Sequence, residues 1–590
     1  MARQKQGWVG AFALGVGLVL SLPFALMPLQ RRFYERHFPE YFAGWPNNGS
    51  FSAIESFAMD TDAFSYAARI RQAGTHLLPG DPHIKENHSR RLILRDFLTM
   101  SVLGLVYRVA GSVSGAWILA QFALSVLWVP CLYALMLALE LEAPAALFVA
   151  VAYTLFEDLT RLPMTLNAGE LTRSVAQYLA WPLGSYLYWF GPTRFTRPLF
   201  TYPCLFLAAL LVARLEKRRE WAAAAACGLA GGALIYVHPD VWAAFMGATG
   251  LLALYLSWRE RSLNLHLFAA LGLALAVSVP GVLAARPGPA GEISIVVPAA
   301  RAFDPKALLY LGAAALAWFG GLRASKLALW CMGLLVTIAL ALNASLLTGY
   351  QGAATSLWWY LGNTFSALLL LTLLARRLRL QPSTWRWLAL TALLLAVPRA
   401  MTYSVLHYQL YAMPRAQEEA LAWLDHNTPE DSVVAALNPI ANFRVSIYTH
   451  DKILTSLIFP LTSNIPVAEN ARRLSQALGL YGVPSQRFVD LGLAPSNSWG
   501  RNLWIGQVDV DEHERAAVLR YFLELDEPKT FEALLTAAEA QPAPAPFEAD
   551  YLWVGPFERK LMGPGGLPKS LKAQQVYANA SVTLYKLPAR

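Results

Sequence analysis

The chain has 590 residues, of which 56% are hydrophobic and only 15% charged, and its mean hydropathy is +0.38. Soluble globular domains are about 45–50% apolar and about 25% charged, so this composition excludes a single soluble protein, a disordered chain and a fibrous repeat. The net charge of +9 fits basic loops on the cytoplasmic side of a membrane, and no basic run interleaved with aromatic residues indicates nucleic-acid binding. The composition predicts a polytopic α-helical membrane protein with some soluble mass attached.

Apolar stretches predict about eleven membrane-spanning helices, since a helix needs roughly 20 mostly apolar residues to cross the hydrocarbon core. Their approximate ranges are 8–29, 113–139, 144–156, 197–213, 221–237, 240–257, 264–284, 307–321, 326–347, 358–375 and 385–404. The first stretch follows a short basic N-terminus. No convincing small-residue cleavage site follows it, so we interpret it as a retained helix rather than a signal peptide.

Charges in the connecting loops predict a cytoplasmic N-terminus, because basic residues concentrate on the cytoplasmic side. Basic clusters follow the fourth, sixth, eighth and tenth stretches, at Arg214–Arg219, Arg259–Arg261, Arg323–Lys326 and Arg376–Arg386. The short loop after the second stretch is an exception, with Glu140 and Glu142 and no base. Eleven spans place the C-terminus outside, together with a first outer loop of about residues 30–112.

Two regions follow from this topology, a transmembrane domain over 1–404 and an extracytoplasmic domain over 405–590. The tail pattern is that of a small α/β domain without cysteine. It predicts helices at Glu418–His426, Glu514–Leu525 and Lys529–Glu539, strands at Asp431–Ala436 and Tyr551–Val554, and a hairpin of Gln575–Tyr577 with Val582–Tyr585.

The predicted spans are nearly free of charge, which argues against an ion-coupled transporter, and no GxxxxGK[ST] motif supports an ATP-driven pump. The acids lie instead near the predicted outer ends of the spans. They are Asp60 and Asp62 in the first outer loop, Glu157, Asp158 and Glu170 around the second, and Asp240 beside His238. Carboxylate oxygens in such a place suit Mg²⁺ or Mn²⁺, or a base that activates an acceptor.

Asp60-Thr61-Asp62 is the sharpest of these elements, because it precedes a predicted short helix that stops near Gly74. Asp60 as a helix cap and Asp62 as a complement to the helix dipole explain the pattern structurally, and a cap does not exclude catalysis. Glu157, Asp158 and Glu170 are equally compatible with ordinary solvated loop acids.

Outer arginines form a second set of candidates, since the guanidinium group binds phosphate through two hydrogen bonds. They are Arg194, Arg197, Arg286, Arg301 and Arg399. For any single arginine, extension toward lipid head groups is an alternative explanation. His238 has two interpretations, a residue that orients an acceptor or phosphate, and a hydrogen-bonded histidine at the membrane interface.

This organisation resembles the GT-C superfamily of membrane glycosyltransferases. The stretch Asp60–Gly74, followed by Gly80-Asp81-Pro82, is similar to the first-loop motif of oligosaccharyltransferase catalytic subunits, and Asn167–Glu170 resembles their acidic second-loop motif. Two other motifs of that group are incomplete. Trp358–Gly362 lacks the acid of the tryptophan motif, and Glu292 stands outside an intact fifth-loop motif. The resemblance therefore does not extend to transfer onto asparagine.

The resemblance implies transfer of a sugar from a polyprenyl phosphate or pyrophosphate donor to a glycan, lipid or protein acceptor outside the cytoplasmic membrane. It implies Asp60 as base or metal ligand with Asp62 beside it, Glu170 as a further ligand of Mg²⁺ or Mn²⁺, and Glu157, Asp158, Glu170 and His238 at the acceptor side. The candidates for binding the donor phosphate are Arg194, Arg197, Arg286 and Arg301. Richness in Ala, Leu and Arg suggests a bacterium with a GC-rich genome, so the membrane that the resemblance implies is the bacterial cytoplasmic (inner) membrane.

A second hypothesis remains open, because a fold does not dictate a function. The incomplete motifs are also compatible with a non-catalytic GT-C-like scaffold or a lipid-glycan translocator in envelope glycan assembly.

Overall fold

The computed structural model describes residues 2–37, 51–54, 61–76, 80–88, 96–156, 199–284, 296–298, 301–352, 355–455, 467–492 and 546–588. Most of the described chain up to residue 411 is helical. Its helices are α1 (Ala2–His37), α2 (Thr61–Thr75), α3 (Lys85–His88), α4 (Phe97–Ala110), α5 (Val113–Ala138), α6 (Ala143–Leu155), α7 (Thr201–Arg218), α8 (Trp221–Ala233), α9 (Pro239–Glu260), α10 (Leu265–Ala284), α11 (Lys306–Phe319), α12 (Lys326–Leu342), α13 (Ala344–Thr348), α14 (Thr355–Leu378) and α15 (Pro382–Tyr411).

Five segments of the described helices are long and apolar enough to cross a membrane. They are Gly7–Met27, Val113–Ala138, Pro239–Glu260, Leu265–Leu283 and Trp358–Leu378. Shorter apolar helices accompany them at Phe97–Ala110, Ala143–Leu155, Trp221–Tyr236, Lys306–Phe319 and Lys326–Leu342. The length and apolar composition of these helices make the chain a multi-pass membrane protein. Helices suit this environment because they satisfy their own backbone polar groups inside lipid. Each apolar stretch predicted from the sequence coincides with a helix.

Helix α4 lies within the region predicted as a loop. Its 14 residues are apolar but too few for a span by the length criterion. Leu103 is buried, whereas Leu105 and Val109 on the opposite face are exposed. Arg108 also interrupts the apolar run of α4, whereas the equally short stretch 144–156 carries no charge, which is why the sequence predicts the second as a span and not the first.

Five loops predicted to lie inside meet at one end of the helices. Arg376 after α14 contacts Glu140 after α5 at 3.0 Å, and Arg219 after α7 contacts Glu260 of α9 at 2.6 Å. The hydroxyl of Ser325 donates to the carbonyl of Ala138 at 3.4 Å, which joins the loop before α12 to the end of α5. The acidic loop that broke the charge pattern therefore has a basic neighbour at the same end.

A polar network ties three helices together at the opposite end. The indole Nε1 of Trp359 donates to Asp304 Oδ2 at 2.9 Å, and the Asp304 amide donates to Asn343 Oδ1 at 2.9 Å. The Lys306 ammonium lies 3.3 Å from the centre of the Trp359 ring. These contacts fix the start of α11, the end of α12 and the start of α14 relative to one another.

Two short antiparallel strand pairs also occur. Strand β1 (Phe51–Ile54) from the first outer loop pairs with β4 (Ala412–Pro414), which directly follows α15. Strand β2 (Val296–Pro298) pairs with β3 (Tyr350–Gly352). The β1–β4 pair connects the first outer loop to the beginning of the C-terminal domain.

The C-terminal domain is built on a five-stranded mixed sheet. Its strands are β5 (Val433–Ala435), β6 (Lys452–Ile453), β7 (Tyr551–Val554), β8 (Gln574–Ala578) and β9 (Thr583–Lys586). The order is β6-β5-β7-β9-β8, with β5 parallel to β6 and β7 and the remaining pairs antiparallel. Its helices are α16 (Arg415–Asn427), α17 (Pro439–Tyr448), α18 (Val467–Tyr481), α19 (Ser485–Gly492) and α20 (Pro556–Met562).

Most of the predicted tail elements that fall on described residues are confirmed, namely the helix that ends at Asn427, both strands and the terminal hairpin. The predicted helices Glu514–Leu525 and Lys529–Glu539 lie outside the described residues. Buried Glu558 holds the domain together by accepting backbone N–H bonds from Leu437, Asn438 and Gly555 at 2.7–3.0 Å. Burial raises the pKa of Glu558 against these bonds.

Glu216 provides a test of the basic end of the helices. Its buried side chain accepts from Asn264 Nδ2 at 2.8 Å and from Lys326 Nζ at 2.9 Å. We expect Glu216→Ala to lower the free energy of unfolding by about 1–3 kcal/mol, because it leaves the Asn264 amide without its acceptor, while the partly exposed Lys326 ammonium keeps the carbonyl of residue 216 at 3.1 Å. Thermal unfolding in detergent measures this. Glu260→Gln at the more exposed Arg219 pair is the control, and an equal loss there would contradict the special role of Glu216.

Candidate functional site

Helix α2 follows directly after Asp60 and carries Asp62 in its first turn. The residues from Tyr66 to Gly74 are buried except for the partly buried Arg71. The helix packs against α4 on one side and against α17 of the C-terminal domain on the other. It ends at Thr75, one residue beyond the predicted glycine stop. Both neighbours therefore determine where α2 lies.

Small residues allow α2 and α4 to approach closely. A Cβ atom on Gly104 of α4 would lie 2.6 Å from the carbonyl carbon of Ala73, a distance that real Cβ atoms do not adopt. Arg108 closes the same contact, since its Nε donates to the carbonyl of Gly74 at 2.8 Å. The spacing of these two helices leaves no room for a larger residue at position 104.

A buried ion pair joins α2 to the start of α4. Arg69 Nη1 lies 3.9 Å from Asp96 Oδ2, and both side chains are at most 8% exposed. Asp96 directly precedes α4 with a φ of 59°, a left-handed conformation in which aspartate is enriched. Positions 62 and 69 are seven residues apart and therefore lie on the same face of α2.

The polar contacts continue from α4 to α9. Thr99 Oγ1 donates to the carbonyl of Val237 at 3.4 Å. The next residue, His238, caps α9 by accepting the Asp240 N–H on its Nδ1 at 3.2 Å, and its Nδ1 lies 3.6 Å from Asp240 Oδ2. His238 is only 1% exposed. Helices α2, α4 and α9 are thus linked through buried charged and polar groups, and we define this linked region as the α2 junction.

Several predicted site residues lie outside the described residues. They are Asp60, Glu157, Asp158, Glu170, Arg194, Arg197 and Arg286. Of the others, His238 belongs to the α2 junction, Asp62 is in the first turn of α2, and Arg301 is exposed. Among the described residues, no group of three His, Cys, Asp or Glu side chains is arranged to hold a metal.

Arg399 of α15 is turned into the helix bundle. It is 4% exposed, its Nη1 donates to the carbonyl of Leu155 at 3.5 Å, and its guanidinium lies 5.9 Å from the Phe156 ring centre. It does not extend toward lipid head groups. An ionisable residue that faces the interior of a membrane bundle is a functional candidate by default.

His83 is a buried group that the sequence analysis did not single out. Its ring is fully buried, stands edge-on to Phe443 at 5.7 Å, and has no hydrogen-bond partner among the described residues. Burial, followed by the charges of Arg69 and Lys452, lowers the pKa of His83 to about 3. The ring therefore stays neutral at physiological pH. The sequence around His83 does not predict its low pKa, because the causes are burial and the charges of Arg69 and Lys452, which are distant in the chain.

Gly104→Ala tests the close packing at the α2 junction. We expect a lower unfolding temperature, because the added methyl group forces α2 and α4 apart. Gly250→Ala in α9 is the matched control, since a Cβ atom there meets nothing within 4 Å. Differential scanning fluorimetry of the purified protein compares the two, and equal unfolding temperatures would contradict the described packing.

His83 gives a pH-dependent prediction. Between its ordinary pKa of 6.5 and its folded pKa of about 3, the unfolded chain binds more protons than the folded chain. The contribution of neutral His83 is therefore complete above pH 6.5 and is lost at up to about 1.4 kcal/mol per pH unit as the pH falls. We expect His83→Gln to flatten this acid loss in urea unfolding measured from pH 7 to 4.

Asp451→Asn is the control of opposite sign. Burial raises the pKa of Asp451 from 3.8 to about 6, so the wild type loses stability as the pH rises between these values. The asparagine variant should lack that loss. An unchanged pH profile in His83→Gln would contradict the buried neutral ring.

No family model matches the chain, and no curated protein matches it. Two solved structures align along nearly the whole chain. ArnT from Cupriavidus metallidurans bound to undecaprenyl phosphate is 13% identical, with 95% of this chain and 97% of that chain covered and a TM-score of 0.41. The Archaeoglobus fulgidus oligosaccharyltransferase tethered to an acceptor peptide is 11% identical, with 98% and 74% covered and a TM-score of 0.39. Likeness at this level assigns neither a substrate nor a reaction to the chain.

Proposed function

We propose that the chain is a membrane glycosyltransferase that moves a sugar or glycan from a polyprenyl phosphate or pyrophosphate donor to an acceptor outside the bacterial cytoplasmic membrane. One observation carries the proposal. The motif Asp60-Thr61-Asp62 leads directly into α2, which is buried between the apolar helix α4 and the C-terminal domain. This packing of α2 supports an acidic motif near the boundary between the membrane part and the C-terminal domain, where a lipid-linked donor and a polar acceptor would meet.

Asp60 is the proposed base. Its carboxylate takes the proton of an acceptor hydroxyl, the hydroxyl oxygen bonds to the anomeric carbon of the sugar, and the bond from that carbon to the phosphate oxygen breaks. The electron pair leaves with the lipid phosphate or pyrophosphate. A base contributes most when it is well oriented toward the acceptor hydroxyl.

Arginines are the proposed partners of the leaving phosphate. The candidates are Arg194, Arg197, Arg286 and Arg301, together with Arg399, which is buried in the helix bundle. Guanidinium groups bind phosphate through paired charge-assisted hydrogen bonds. The polyprenyl tail would lie against the exposed apolar faces of the membrane helices. Glu157, Asp158, Glu170 and His238 are proposed for the acceptor side.

A divalent cation, Mg²⁺ or Mn²⁺, at Asp60, Asp62 and Glu170 is part of this proposal. Such ions prefer carboxylate oxygens as ligands. Treatment with EDTA separates this role from that of a base alone. Transfer that stops with EDTA and returns with added cation supports the metal, whereas unchanged transfer removes it.

Orientation follows from the positive-inside bias. The end of the helices where Arg219, Lys326 and Arg376 form ion pairs is the proposed cytoplasmic end. The acidic motif and the C-terminal domain then face outward.

Asp60→Asn tests the central assignment. We expect transfer to fall by about 10²–10⁴-fold, because the amide cannot accept the proton, while the unfolding temperature stays unchanged. The measurement is release of lipid phosphate from a panel of synthetic polyprenyl-phosphate sugars in detergent. Glu548→Gln, an exposed acid of the outer domain, is the control. Retained transfer in Asp60→Asn would remove the assignment, and no turnover by the wild type would favour the non-catalytic scaffold.

A further inference from the structure

Helix α9 presents an exposed apolar stripe that ends in cations. Leu254 is 61% exposed, and Trp258, one turn closer to the end of the helix, is 75% exposed. Arg259 and Arg261 follow at the end of the helix, and both are exposed. Because tryptophan side chains concentrate at the head-group level of a bilayer, Trp258 places the two arginines beside the head groups and not beside the acyl chains.

Helix α7 repeats this arrangement next to α9. Leu207 is exposed, and Arg214 lies seven residues later on the same face of the helix. Exposed Lys217 follows within one turn. The ion pair of Arg219 with Glu260 at 2.6 Å holds the end of α7 to the end of α9. The two helix ends therefore form one surface, the basic edge, whose exposed cations are Arg214, Lys217, Arg259 and Arg261.

The acids close to the basic edge do not neutralise it. Glu260 contacts Arg219, and Glu220 Oε1 lies 4.0 Å from Arg218 Nη1. Glu216 is buried away from the surface. Among the described residues, no acid lies within ion-pair distance of the four cations of the edge. The basic edge therefore carries positive charge that anions outside the protein balance.

We propose that the basic edge binds the anionic head groups of phospholipids, with phosphatidylglycerol as the test lipid. The stems of arginine and lysine lie along the apolar helix surface while their charges reach the head groups. A guanidinium group binds a phosphate through two hydrogen bonds. A zwitterionic lipid carries the same phosphate without net charge, so the edge should prefer the anionic lipid by roughly fivefold for each cation in contact.

Exposed aromatic rings favour a lipid over a soluble acidic partner. Trp221, the first residue of α8, is 62% exposed, and its ring centre lies 4.6 Å from that of His266 on α10. It follows Lys217 by four residues, as Trp258 precedes Arg259 by one. A soluble anion would leave these rings in water, whereas a bilayer covers the rings and the cations together. The inference concerns lipid selection by the membrane helices and does not depend on the proposed transfer reaction.

Fluorescence quenching by nitroxide-labelled lipids tests the edge in the full-length protein. A bimane dye on Ser262→Cys, an exposed position next to Arg261, reports lipid contact, because the native cysteines are buried or half-buried. The protein is placed in phosphatidylcholine nanodiscs that contain increasing fractions of labelled phosphatidylglycerol or labelled phosphatidylcholine. We expect half-maximal quenching at a fraction of phosphatidylglycerol about fivefold below that of phosphatidylcholine, and this ratio should fall in about 0.5 M NaCl.

Paired substitutions separate the charge of the edge from its shape. Arg259→Gln with Arg261→Gln should bring the quenching ratio close to unity, whereas Arg259→Lys with Arg261→Lys should keep it. Lys569→Gln with Lys572→Gln removes two exposed charges from the outer domain and is the matched control. Unfolding temperatures of all variants, measured in the same nanodiscs, show that the lipid preference is compared between folded proteins.

Three results would overturn the proposal: equal quenching by the two lipids in the wild type, an unchanged ratio in the glutamine variant of the edge, or an equal loss in the outer-domain control. Loss of the preference when inorganic phosphate or polyglutamate is added at constant ionic strength would assign the edge to a soluble anion and reject the lipid. Asp60→Asn should keep the preference, so failure of the transfer assignment and failure of the basic edge are distinguishable.

Discussion

A bilayer interior cannot solvate charge, and this constraint determines where the charged side chains of the protein lie. Ionisable side chains collect at the two ends of the helices, where they pair with one another instead of with lipid. At one end, contacts between Glu140 and Arg376 and between Glu216 and Lys326 join loops that are far apart in the chain. At the other end, the network around Asp304 and Trp359 and the α2 junction do the same. The apolar helices between them are held in register by their ends.

Helix α2 links the membrane helices to the C-terminal domain and follows the proposed acidic motif. It is too short to span a membrane and too buried to be a surface element, and it packs on the membrane helices and the outer domain alike. The contacts of Arg69 with Asp96 and of Arg71 with Asp425 fix it on two sides. The proposed acidic motif directly precedes and begins this helix in the sequence. For the proposed transfer from a lipid-linked donor to a polar acceptor, contacts on two sides would hold the start of α2 in place.

The apolar helices were predictable because apolar length is a local property, although only five of them are long and apolar enough to span a membrane among the described residues. The helix after Asp60 was predictable because its stop signal is adjacent to it. Features that depend on distant partners were not. Glu140 looked like an exception to the charge pattern because its partner Arg376 lies 236 residues away. His83 carries no local signal, since its environment is made by Phe443 and by the charges of Arg69 and Lys452. The short helix α4 was not predicted from the sequence, because its burial on one face depends on contacts with α2.

The pairing of β1 with β4 has a consequence for the order in which the protein is completed. Ile54 is synthesised early, but its partner Ala412 directly follows α15. Helix α17, which covers the outer side of α2, comes later still. A growing chain can therefore have the preceding apolar helices inserted while α2 still lacks its contact with α17. Insertion of the apolar helices and the packing of α17 on α2 are therefore separate events, and the second requires synthesis of the last third of the chain.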